Sequence, residues 1–146
     1  MLGAVRSAAS DRSWPRLGVD WSQGLLHRSR VDRQRPQPLG DDRQRFPTPA
    51  AVQALAGTCP VTDKSGKRRV IKFRHACDRH FRHIVQQWAR LSLGQSVWAN
   101  SYWQQVRPRC QSDSHALRCL GNRWLAVAWK LWQTGQTYDQ AYHLRQ

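Results

Sequence analysis

The residues best suited to chemistry lie in "VTDKSGKRRVIKF", Val61 to Phe73, where Ser65 and Gly66 directly precede Lys67, Arg68 and Arg69, with Lys64 in front. Acyl transfer by Ser65 would need a partner base and an oxyanion hole, and "KSGK" is not a G-x-S-x-G elbow. Attack on a phosphodiester has other requirements: an exposed hydroxyl, a small next residue so that a strand can approach, and cations to offset charge developing on phosphate. This stretch meets them. A solvated basic turn has the same composition, since a charge run is usually surface. Asp63, two residues before Ser65, is a weak base whose charge would repel phosphate. A turn-forming role suits it better.

A second concentration, "HACDRHFRH", brings His75, Cys77, His80 and His83 together, and part of a zinc site could be imagined there. No second ligand pair follows at a recognised spacing, and Arg79 and Arg82 interleave as on a phosphate-facing surface. The reading for this chain is therefore no metal site and no cofactor. Arg74, Arg79 and Arg82, with Arg90, are the expected backbone contacts; each alone could also be ordinary helix-surface charge. Of the eight tryptophans, Trp88 and Trp124 fall where helical periods want core. Trp103 and Trp132 stay open between core and base stacking. Tyr102, Arg107 and Arg118 are further surface candidates that the sequence does not rank.

The totals favour a polyanionic partner. The chain has 146 residues and a net charge of +15, from 24 basic against 9 acidic residues. Arg supplies 20 of the 24, and every acid is Asp. The planar guanidinium matches phosphate, so the bias suits nucleic acid. No apolar run reaches membrane-span length and no signal-peptide core opens the chain, so a membrane is excluded and the cytoplasm expected. Cys59, Cys77, Cys110 and Cys119 form no C-x-x-C pair and are read as reduced thiols.

Stepping along the chain, residues 1–38 show no sustained period and read as a disordered extension, with a short helix around Trp21. Beyond Leu39 the grammar is helical. Thr48, Pro49 and Gly57 bound a short helix with Val52 and Leu55 inward. A polar turn follows between two short β-prone pieces, Val70, Ile71 and Phe73 forming a brief strand. Phe81, Ile84, Val85, Trp88 and Leu91 mark an amphipathic helix ending near Gly94. Ser96 caps a third helix carrying Trp98, Tyr102 and Val106. A fourth runs from about Ser114 to Gly135. The fold class is mostly α: a small helical domain over residues 39–136, with a tail at 137–146.

"GDDRQRFPTPAAVQALAGTCPVTDKSGKRRVIKFRHACDRHFRHIVQQWA", Gly40 to Ala89, resembles the C-terminal domain of insertion sequence 110 type transposases, which are RNA-guided DNA recombinases. The likeness continues through "SVWANSYWQQVR" and "HALRCLGNRWLAVAWKLWQTGQTYD". Its most specific piece is "ALAGTCPVTDKSGKRR". The resemblance implies a serine that attacks a DNA phosphodiester and is held transiently as phosphoserine; by motif position this is Ser65. Gly66 would allow close approach, and Lys64, Lys67, Arg68 and Arg69 would bind phosphate. It implies DNA as partner, a structured guide RNA, and assembly as an oligomer or with a full-length transposase. It also implies a separate RuvC-like domain whose acids bind divalent metal such as Mg. Residues 1–38 are too short for that domain, so the expectation is a truncated copy, inactive alone. Two rivals stand beside this reading. One is a non-catalytic, nucleic-acid-binding remnant or regulator. The other is a helix-turn-helix regulator, for which no tight helix pair stands out.

Overall fold

The structure, a computed structural model, describes residues 42–136 and 138–145. The disordered extension and the short helix expected within residues 1–38 lie outside them. The described chain is mostly helical. A 3-10 turn, Arg43–Arg45, leads into α1 (Pro49–Leu55), a hairpin of β1 (Val61–Ser65) and β2 (Arg68–Lys72), then α2 (Arg79–Gln95) and α3 (Val97–Val106). A 3-10 turn at Arg107–Arg109 precedes the long α4 (Asp113–Thr134), and α5 (Gln140–Leu144) closes the series.

Short polar side chains fix where the helices begin. The Asp78 carboxylate accepts from the Phe81 amide at 2.9 Å, and Ser112 Oγ accepts from the His115 amide at 3.2 Å. These bonds satisfy donors that the first helical turn leaves unpaired. Ser96 serves two helices: its amide donates to Ser92 O at 2.9 Å, ending α2, and its Oγ accepts from the Ala99 amide at 3.3 Å, starting α3. Pro49 opens α1 behind Thr48 as expected, although the Thr48 hydroxyl makes no capping bond. Gly135, in left-handed backbone, closes α4.

The core lies where α2, α3 and α4 meet. Trp88 stacks on Trp124 with centroids 5.4 Å apart, and Trp98 meets Trp124 edge-on at 5.0 Å. Trp124 Nε1 donates to Ser92 Oγ at 2.9 Å, and that hydroxyl donates to Ala89 O at 2.8 Å, so the buried indole is satisfied. Close helix approach makes room for the rings: a Cβ on Gly121 would stand 2.8 Å from Val85 Cγ1. Trp132 is also buried, against Phe46, which resolves it as core.

The buried stripe of α2 is Phe81, Val85, Trp88, Ala89 and Ser92. It departs from the expected stripe at Leu91, which is 46 % exposed, and at Ile84, which is half-buried. Counting apolar residues selects Leu91, but the helix rotates to bring Ser92 under the Trp124 N–H. Among the described residues no helix is long and apolar enough to cross a membrane.

Candidate nucleic-acid interface

The polar turn of the sequence is a two-residue β-turn between antiparallel strands. Ser65 is the last residue of β1 and pairs with Arg68; Lys64 pairs with Arg69 and Asp63 with Val70. Gly66 has φ +55°, whereas no non-glycine residue described has positive φ, the sign pattern of a type II′ turn with glycine leading. Nothing lies within 4 Å of where a Gly66 Cβ would be. All of β1 is exposed, as are Lys67 and Arg68. The serine and its glycine therefore stand at an open tip.

Strand alternation sorts the cations. Ser65 shares a face with Arg68 directly opposite, while Lys64 projects from the other face. A phosphate held at Ser65 would meet Arg68 and the turn residue Lys67 before Lys64. Asp63 lies on the Ser65 face and is engaged by Lys72, Nζ to Oδ2 at 2.7 Å. It is a strand residue in a cross-strand ion pair, not the turn former expected. Among the described residues no side chain hydrogen-bonds the Ser65 hydroxyl.

The hairpin is joined to the helices through its base. The guanidinium carbons of Arg82 and Arg118 lie 4.4 Å and 4.3 Å from the centre of the Phe73 ring, and His75 packs edge-on against it at 4.9 Å. Arg82 Nη2 donates to Arg74 O at 2.6 Å, and the Asp78 amide donates to Leu55 O at 2.8 Å. Gly57, at φ +65°, permits this junction, because a Cβ there would come within 2.5 Å of Arg82 Nη2. Arg82 is thus half-buried and anchors the hairpin, while Arg79 is exposed on the first turn of α2. Arg74 is half-buried, and its Nε, like that of Arg82, is buried with no partner. Burial lowers the Arg118 pKa, with the like charge of Arg82 adding and Cys119 opposing. No carboxylate among the described residues pairs with either guanidinium, leaving concentrated positive charge beside the hairpin.

The expectation of no cofactor site in this chain is overturned. Cys110, His115 and Cys119 each offer a ligand atom, all within 4.8 Å of one another. Cys110 lies in the loop after Arg109; His115 and Cys119 are four apart on one face of α4. Burial, reinforced by the Cys110 sulfur, pushes the Cys119 thiol up to about 11, with Arg118 opposing. The signal was present as C-x4-H-x3-C in "CQSDSHALRC". A search for C-x-x-C pairs passes over it, because the spacing becomes meaningful only once α4 begins at Asp113. "HACDRHFRH" forms no such set among the described residues.

Magnesium does not suit the acids present. It demands several oxygen ligands around one point, and the described aspartates are dispersed. Asp42, Asp78 and Asp139 cap helices or turns, Asp63 holds Lys72, and Asp113 holds Arg107.

Residues 38–104 match the family described as "Transposase IS116/IS110/IS902 family", a family-level likeness over part of the chain. Among curated proteins the chain is 30% identical over 102 residues to the "Mini-circle putative transposase for IS117" of Streptomyces coelicolor, covering 70% of this chain and 25% of that protein. The chain thus spans about a quarter of that relative's length. No solved structure matches it.

Proposed function

We propose that this domain is the serine-bearing part of a DNA-transposing recombinase, with Ser65 as nucleophile. The observation that carries the reading is the hairpin tip: an exposed hydroxyl, an open glycine after it, and a guanidinium directly across the ladder. In the proposed step, Ser65 Oγ forms a bond to a backbone phosphorus and the bond to the departing deoxyribose oxygen breaks. Arg68 and Lys67 offset the charge gathered on the non-bridging oxygens. Asp63 is held by Lys72 and takes no part as base. Protonating the departing oxygen and removing the serine proton fall to groups outside this hairpin, and none of the described carboxylates form a metal site for that purpose. Arg74, Arg79 and Lys64 contact backbone phosphates, while Arg82 and Arg118 fix the hairpin. Binding is therefore salt-sensitive and weakly sequence-dependent. Guide RNA and assembly with further transposase chains belong to the same proposal, carried by the family likeness.

A second reading, a binding platform without chemistry, is favoured by the lack, among the described residues, of any base hydrogen-bonded to Ser65. DNA with a bridging phosphorothiolate separates the two, because its thiol leaves without acid assistance. The nucleophile reading predicts a covalent protein–DNA adduct that Ser65→Ala abolishes while equilibrium DNA binding is retained. No adduct from either protein with binding intact favours the platform, and equal adduct from Ser65→Ala places the nucleophile at another hydroxyl.

A further inference from the structure

We propose that Cys110, His115 and Cys119 bind one zinc ion, which locks the loop entering α4 and leaves its fourth coordination position to water. Zinc is the cation the donors select: two sulfurs and an imidazole suit a borderline-soft d10 ion, whereas magnesium and calcium take oxygen. The dimensions agree. Tetrahedral zinc with Zn–S of about 2.3 Å and Zn–N of about 2.0–2.1 Å sets its ligands about 3.5–3.8 Å apart. The three atoms already lie within 4.8 Å of one another. The difference, at most about 1 Å, is of the size that side-chain rotation spans.

The backbone carrying these ligands is held independently of any metal. Arg107 donates from Nε to the Asp113 carboxylate and from Nη1 to Cys110 O, the latter at 3.2 Å, so one guanidinium staples both ends of the loop. The Cys110 amide donates to Arg107 O at 3.1 Å. Ser112 caps α4 at the amide of His115 itself. Loop and helix thus present the ligands from fixed positions, the arrangement a metal site requires of its surroundings. All three are half-buried, which limits competition from water yet leaves an entry path. Arg118, next to Cys119, supplies positive charge that helps offset two thiolates. Because Arg118 also packs on Phe73, the metal would stiffen the part of α4 that supports the hairpin.

The test uses the full 146-residue chain, purified under reductant, stripped with a chelator and titrated with zinc and with cobalt(II). The proposal expects about one metal per chain and a thiolate-to-cobalt charge-transfer band. Cys110→Ser and Cys119→Ser should weaken zinc by more than the roughly 10–100-fold that losing an outer-shell partner costs. Cys59→Ser and Cys77→Ser should leave binding unchanged. Should a ligand variant fail to fold, wild-type alkylation mapped by mass spectrometry gives the same answer: zinc must shield Cys110 and Cys119 but not Cys59. Substoichiometric metal, cobalt without thiolate charge transfer, or alkylation indifferent to zinc would overturn the site. A Cys110–Cys119 disulfide that forms in preference to metal binding would also overturn it.

Discussion

At the scale of single residues, Ser65 and Gly66 divide the work at the hairpin tip. The serine supplies the hydroxyl; the glycine supplies left-handed backbone and open space. An L-residue in that conformation costs about 1–2 kcal/mol, and Gly66 has no neighbour whose packing could repay it. Gly66→Val should therefore loosen the hairpin alone. Hydrogen exchange should rise across residues 61–72 while the melting temperature of the helical body hardly moves; a matching global loss would mean the hairpin is part of the cooperative core. This arrangement was largely legible in "KSGKRR", because serine before glycine and cations signals a turn with chemical potential. The sorting of Arg68 and Lys64 to opposite faces was not, since that depends on a register set only by pairing.

The helices were the most readable elements. Pro49, Ser96 and Gly135 stand at their expected boundaries because each acts through local backbone chemistry that sequence carries directly. What tertiary contact decides was less visible. Leu91 is exposed and Ser92 buried because the Trp124 indole needs an acceptor. The Cys110–His115–Cys119 cluster depends likewise on where α4 starts. Ser92→Ala tests the first point. It removes the acceptor but little volume, leaving a buried N–H unsatisfied, at a cost of about 1–3 kcal/mol. Denaturant unfolding should show that loss, and Ser92→Thr, which keeps the hydroxyl, should recover part of it. No difference between the two variants would assign Ser92 a space-filling role only.

Across the whole molecule, the charge of +15 and the apolar centre impose separate sensitivities. Salt acts on the surface and should weaken the proposed DNA binding. Alkali acts on the interior. Burial raises the pKa of Tyr102, with Cys119 adding to it, and burial likewise raises that of Tyr138, with Ser96 opposing. Both phenols hold their protons more tightly folded than unfolded, so their contribution is intact below the ordinary value of 10.0 and is lost as pH rises through their folded values. Melting temperature should fall above about pH 9, where the buried Cys119 thiol begins to contribute, and Tyr138→Phe should flatten the part above about pH 10; an unchanged profile would mean that Tyr138 carries none of the fall. The proposed reaction, however, turns on one oxygen atom, Ser65 Oγ. Trapping the chain on phosphorothiolate DNA, digesting the adduct and sequencing the peptides by mass spectrometry reads that atom directly. A nucleotide attached to Ser65 is the predicted result. Attachment at any other hydroxyl, or no adduct under conditions where the DNA is bound, would contradict it.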